Sequence, residues 1–322
     1  MHSSISNSDA ACARRGIRLF LLLVALGGLV LELSARYGVP LVYHNMRRFQ
    51  AEFERAVSIR ENSTQPLASV LLLGNSMTFT DIDLDQFQKA LGPACDVTRW
   101  AVDDTNYFDW YFGLRRVFRA GSRPRFVVMG TISGHLVSVK LRGNFFAHYI
   151  LDRRDVFAAA TRTGSDSRSA SQMLLAKSSA FYGCRDELYK RVMTMVLPHF
   201  EDFARSLTRH MAPVKTTPAG ITERVEERLK ELRDLCREHG AQLIVWLPPL
   251  QQVDTYAPDI LAAARQAGIP AFVPLAHDEF DQGLFRDPIH LKREGALLLT
   301  PRLAAQLRPF VLGSAKSSGG AP

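Results

Sequence analysis

Three residues of this chain have the types and spacing of nucleophilic acyl chemistry: Ser76, Asp287 and His290. Ser76 closes the run Leu71-Leu72-Leu73-Gly74-Asn75-Ser76. A short, wholly apolar run reads as a strand buried on both faces, and a glycine at its end permits a tight turn. Sites in open parallel sheets form at the carboxyl ends of strands, which is where Ser76 falls. A serine there can equally do no more than cap the next helix. His290 lies in Asp287-Pro288-Ile289-His290-Leu291, in the loop before the last predicted helix, with Gly295 five residues on. An aspartate three residues before a histidine can orient its imidazole, and the imidazole can take a proton from a serine hydroxyl. The same pair also reads as a surface aspartate beside a capping histidine. As metal ligands the two are too few, so no metal and no other cofactor is expected.

The elements that must position these residues alternate along the chain. Ala68–Leu73, Val97–Ala101, Arg125–Met129, Gln242–Leu247 and Ala271–Leu275 read as strands. Leu84–Leu91, Tyr107–Phe118, Asp259–Ala267 and Gly295–Leu307 read as helices. A further helix is expected from Thr217-Pro218, with Val225, Leu229, Leu232 and Cys236 on one face and Gly240 closing it. Short buried strands alternating with helices predict an α/β fold: a doubly wound, parallel, five-stranded sheet. Residues from about 131 to 216 carry no clear strand and are too long for a loop, so they are expected as a helical insertion, with helices at Arg154–Ala160 and Asp186–Val196. The domain is expected over 68–312, followed by a small, polar, disordered tail at 313–322.

The N-terminus reads as a membrane anchor. Residues 17–35 hold the unbroken apolar run Leu19–Leu31, whose 13 residues fall short of the roughly 20 of a standard span. Arg18 can snorkel at one end, and Glu32 stands near the other interface. A cleaved signal peptide is disfavoured, because a cut after Ala35 puts Leu33 where a small residue is wanted. Arg14, Arg15 and Arg18 precede the run, so residues 1–16 are expected in the cytoplasm and the main domain on the periplasmic, extracytoplasmic side. Residues 36–67 are expected as a partly helical stalk. The formal charge of +8 is spread along the chain without a basic run or nucleic-acid motif; it fits an anionic membrane or polymer surface, or an unpartnered solvated face. Cys12, Cys95, Cys184 and Cys236 have no metal-binding spacing.

Strand-Gly-x-Ser near the start and Asp-x-x-His near the end together resemble the SGNH/GDSL hydrolase-like superfamily. The membrane-anchored, acyltransferase-like branch of cell-envelope polysaccharide pathways is most similar. Pro248-Pro249 and the Ser-Ser-Ala-Phe-Tyr-Gly-Cys-Arg stretch at 178–185 look like that branch too. The resemblance implies Ser76 as nucleophile, His290 as base and Asp287 as its orienting acid. Asn75 stands where the superfamily has aspartate. The superfamily takes oxyanion donors from a glycine after the second strand and an asparagine after the third. Here the second block reads Ala101-Val102-Asp103-Asp104-Thr105-Asn106, without glycine, and the third reads Gly130-Thr131-Ile132-Ser133, with Ile132 in the asparagine's place. Asn75, Asp103, Asn106, Thr131 and Ser133 are then the oxyanion or substrate candidates. The implied function is a serine-dependent O-acyltransferase or esterase acting on an envelope glycan or another O-acylated substrate, beside a membrane-bound acyl carrier or assembly partner. The alternative is a catalytically degenerate scaffold or accessory subunit of the same fold.

Overall fold

The computed structural model of this 322-residue chain describes residues 7–60, 67–200, 203 and 220–313. Five parallel strands form one sheet: β1 (Ala68–Gly74), β2 (Cys95–Ala101), β3 (Phe126–Gly130), β4 (Gln242–Trp246) and β5 (Ala271–Phe272). Their order is β2-β1-β3-β4-β5, so the direction of winding reverses beside β1. The fifth strand is shorter than its sequence suggests. Only Ala271 and Phe272 pair with β4, at Val245 and Trp246, before Pro274 and the following turn lead the chain away.

Both faces of the sheet are covered, for a reason written in the strands themselves. Leu71, Leu73, Val127, Met129, Leu243 and Val245 point into one apolar cluster. Val70, Leu72, Phe126, Val128, Ile244 and Trp246, the residues between them, point into a second. A strand with no polar alternation has to be sandwiched, and helices supply both layers. The first layer includes α6 (Tyr107–Arg119), α12 (Ile221–Glu238) and α13 (Ala257–Gln266). The second includes α5 (Leu84–Leu91) and α14 (Arg293–Gly313). Cys95 and Cys184 are free thiols in opposite clusters. The expected helix start at Thr217-Pro218 and the tail at 314–322 lie outside the described residues.

The N-terminal region departs from expectation in two ways. The helix α1 (Asn7–Leu33) runs through a π-helical turn, Ser34–Gly38, into α2 (Val39–Val42). Cys12–Leu41 is therefore a 30-residue helical stretch, longer than the 17–35 expected, and long and apolar enough to cross a membrane. Secondly, residues 36–60 are not a free stalk. Helix α3 (His44–Ser58) buries Met46, Phe49 and Ala56 in the domain core. Its Glu52, 1% exposed, accepts from the Ala101 backbone N–H at 2.9 Å and from Arg99 at 3.1 Å. The stalk reading counted α3 as polar; the apolar face at Met46, Phe49 and Ala56 and one buried, fully paired carboxylate are what dock it.

Among described residues the 131–216 region is helical: α7 (Ser133–Val137), α8 (Gly143–Tyr149), α9 (Val156–Arg162), α10 (Ser167–Ser178) and α11 (Ala180–Val196). It is fastened to the N-terminal helix. Glu32 of α1 caps the start of α11, accepting from the Ser179 hydroxyl at 2.7 Å and the Ala180 and Phe181 N–H groups at 2.8 and 3.1 Å. Glu32 is thus a docking group and not simply an interfacial charge.

Candidate active site

Ser76 opens a short helix, α4 (Ser76–Thr80), directly after β1. The cap of that helix is Asn75, whose Oδ1 accepts from the Met77 N–H at 3.1 Å. The Ser76 hydroxyl is therefore released from capping, and its Oγ lies 2.8 Å from His290 Nε2. On the other side of the ring, His290 Nδ1 lies 2.9 Å from both Asp287 oxygens. A carboxylate can only accept, so Nδ1 carries the hydrogen and the Nε2 lone pair faces the serine. Burial pulls the Asp287 carboxyl upward. The His290 imidazole and the Ile289 and His290 N–H groups outweigh that and hold it below the usual range, so it is ionised at neutral pH.

The Asp-x-x-His segment is not a plain loop. It forms an antiparallel ribbon of β6 (Phe285–Asp287) and β7 (His290–Leu291). Asp287 Oδ1 accepts from the Ile289 and His290 N–H groups at 3.1 and 3.0 Å, so one side chain folds the turn and orients the imidazole. A residue that sequence reasoning overlooked ties this ribbon to the serine. Asp81, at the end of α4, accepts from the Leu291 N–H at 3.0 Å and the Thr80 hydroxyl at 2.7 Å. Asp81 is fully buried. Burial pushes its carboxyl up to about 6, against the pull of Thr80, Leu291 and His290.

The two strand-end glycines act through space rather than through turn conformation. Gly74 is the last residue of β1 itself, and a Cβ there would overlap Thr78 Oγ1. A Cβ on Gly130 would stand 2.6 Å from the Trp246 ring and 2.7 Å from the same Thr78 oxygen. Their bare backbones let α4 settle onto the ends of β1 and β3, which brings Ser76 to the sheet edge.

The expected oxyanion side is differently arranged. Asn75 Nδ2 lies 3.1 Å from His135 Nδ1 and 3.4 Å from the Thr105 carbonyl oxygen. Asp103 pairs with Arg48 at 2.9 Å. Asn106 starts α6, its N–H donating to Asp109 at 2.9 Å. Thr131 is buried, donating its N–H to Trp246 O at 3.1 Å and its hydroxyl to Ile132 O at 3.2 Å. Ser133 gives both its N–H and its hydroxyl to Asp254, at 3.1 and 2.9 Å. Thr131 and Ser133, expected as replacement donors, are thus occupied within the fold. Asp104, however, sits at φ +58°, the left-handed conformation that glycine favours. The second block keeps a glycine-like backbone without the glycine.

His135, given no role from sequence, stands on α7 against Asn75 and edge-on to Trp110, their ring centroids 6.0 Å apart. Burial lowers its pKa to about 4, with Asp254 opposing, so it is a neutral imidazole beside the site. Its place on the turn after β3, the same sheet edge as Ser76, is the signal that could have found it. Trp100, Tyr107 and Trp110 are at most 2% exposed, and Phe145 and Phe146 are also core. Among described residues no cluster of three or more His, Cys, Asp or Glu is placed to hold a metal ion.

No protein-family model matches the chain, and a search of curated proteins finds no significant relative.

Proposed function

We propose that this chain is a membrane-anchored, serine-dependent acyl-transferring enzyme of the SGNH hydrolase-like type. The observation that carries the reading is the alignment of Ser76, His290 and Asp287 within hydrogen-bond distance, across 214 residues of sequence. In this reading His290 Nε2 takes the Ser76 proton as Oγ attacks an acyl carbonyl. Asp287 stabilises the resulting imidazolium, and the imidazolium returns the proton to the departing alkoxide. A sugar hydroxyl or water, activated in turn by His290, then releases the acyl group. The substrate class is an O-acylated envelope glycan or its acyl donor. A fluorophosphonate probe should label the full chain at Ser76 and leave Ser76→Ala unlabelled. A folded wild type that resists the probe, or equal labelling of the variant, removes the serine from the chemistry.

The proposed orientation puts residues 1–16 in the cytoplasm and the domain outside it, supported by Arg14, Arg15 and Arg18 ahead of the apolar helix. Alkaline phosphatase fused after residue 322 should be active in a bacterial host; an inactive fusion, with an active cytoplasmic reporter at the same place, reverses the orientation.

A second reading has its own support. With Thr131 and Ser133 bonded elsewhere and Ile132 apolar, the third block offers no side-chain oxyanion donor. That favours a scaffold that retains the fold and has lost most of its rate.

A further inference from the structure

The exposed length of α1 and its fastening to the domain locate the edge of a bilayer around it. From Ile17 to Leu31 the large apolar side chains of α1 are 49 to 65% exposed. Just beyond them, Glu32 bonds to Ser179, Ala180 and Phe181, and Ala35 and Val39 are buried against the domain. The unbroken apolar run Leu19–Leu31 has 13 residues. It covers about 20 Å at 1.5 Å per residue, against a hydrocarbon core of about 30 Å. With Arg18 at one end, the far boundary falls at Glu32 or somewhat beyond it. The turn Ser179–Phe181, held by Glu32, therefore stands at the membrane surface.

Three large apolar side chains are exposed around that turn. Phe181 opens α11 at 40% exposure, Leu175 lies one helical turn before Ser179 at 54%, and Phe157 of α9 is 65% exposed. Arg153, just ahead of α9, reaches the Ser178 hydroxyl at 3.4 Å, which brings the start of α9 to the same corner. Asp155 and Val156 are buried, which leaves Arg153, Arg154 and Phe157 on the outward side of this segment. The carboxylates nearby are engaged elsewhere. Asp155 pairs with Arg115 and Arg119 at 3.1 and 2.6 Å, Asp152 reaches Arg119 at 3.6 Å, and Glu32 holds Arg36 at 3.0 Å. The corner thus presents apolar side chains flanked by arginines, the composition of a surface that lies on anionic lipid.

The direction of α11 separates this corner from the rest of the insertion. The Ala180 N–H bonds to Glu32, and the Glu187 carbonyl accepts from the Tyr43 hydroxyl at 2.7 Å. Helix α11 therefore runs beside the chain as it leaves the membrane. Its far end, with Met195 75% exposed, lies about 20 Å further along at 1.5 Å per residue.

We propose that this corner is a second membrane contact, seating the domain on an anionic bilayer surface. Phe157, Leu175 and Phe181 enter the boundary between headgroups and acyl chains, and Arg153 and Arg154 pair with anionic headgroups. The contact presupposes that α1 spans the membrane and is independent of what Ser76 does.

The test places one NBD fluorophore at a time on the full chain in vesicles, through Phe157→Cys, Leu175→Cys, Phe181→Cys, Met195→Cys or Leu26→Cys in a Cys12→Ser background. The other cysteines are buried. In vesicles of phosphatidylcholine with phosphatidylglycerol, a lipid carrying a doxyl group at the top of its acyl chain should quench the labels at 157, 175 and 181 and leave the label at 195 bright. A doxyl group near the chain end should quench the label at 26. The double variant Arg153→Gln/Arg154→Gln alters only exposed residues, so folding is spared. It should lower the ratio of docked to undocked domain, read from the quenching, by about five-fold for each charge removed. Pure phosphatidylcholine should lower it likewise. A quenched label at 26 with bright labels at 157, 175 and 181 overturns the second contact and keeps the anchor, whereas a bright label at 26 overturns both. Equal quenching at 195, or quenching that neither neutral lipid nor the double variant reduces, also overturns the contact.

Discussion

At the carboxyl edge of the sheet, the part built on β1 and β7 and the part built on β2 and β3 are arranged for different ends. On the first, three polar side chains serve the geometry of Ser76: Asn75 caps α4, Asp287 folds the turn and holds the ring, and Asp81 pins β7 beneath it. On the second, the polar groups hold the fold together: Asp103 binds Arg48 of α3, Thr131 extends the backbone pairing with Trp246, and Ser133 binds Asp254 after β4. The difference teaches that residue type alone does not make a donor available. A side chain whose hydrogen bonds are spent on packing cannot also meet a developing oxyanion without breaking one of them.

The contrast can be broken from the first side by Asp287→Asn. With the orienting charge lost and the wrong tautomer favoured, acyl-transfer turnover should fall by up to about 10⁴-fold while labelled substrate still binds. Since Asp287 also forms the turn, a thermal melt should accompany the assay. A loss of rate with an unchanged melt assigns the effect to the imidazole, and an unchanged rate removes Asp287 from the mechanism.

From the second side the telling change is Ile132→Asn. If a missing donor limits the rate, turnover should rise toward the roughly 10²-fold worth of one oxyanion hydrogen bond. A wild type of full activity that is slowed by this substitution would mean that the two parts are not unequal in the way described.

The remaining effect is on stability rather than rate, and it tests Asp81. Its pKa is about 6 in the fold against an ordinary value of 3.8, so the folded state binds the proton more tightly than the unfolded one. The penalty is absent below about pH 4, grows as pH rises through about 6, and is then constant, at roughly 3 kcal/mol for a two-unit shift. Asp81→Asn keeps an acceptor for Leu291 and Thr80 but has nothing to ionise. Denaturation of both proteins from pH 4 to 8 should show their stability difference moving in favour of the variant as pH rises. A difference that stays flat would mean that Asp81 carries no such strain.

Much of this was legible in the residues. Leu71–Leu73 and Val127–Met129 lack polar alternation, which by itself requires a sheet covered on both faces. Ser76 and His290 each followed from a local context, a strand end and an Asp-x-x-His turn, because their chemistry is set by immediate neighbours. The role of α3 was missed because its polar surface outweighed three apolar positions in the reading, and Gly74 was taken for a turn glycine when its neighbour in space, Thr78, needed the room.

The sequence by itself determined the α/β alternation, the apolar N-terminal helix and the identities of the serine, histidine and aspartate that could act together. Only the tertiary structure decided which other groups remain available. Ser133 is taken by Asp254, 121 residues away, Leu291 is held by Asp81, 210 residues away, and the start of α11 is capped by Glu32, 147 to 149 residues away. Hydrogen-bond partners so distant leave no trace in spacing or periodicity, because the fold alone brings donor and acceptor within 3 Å or so of each other.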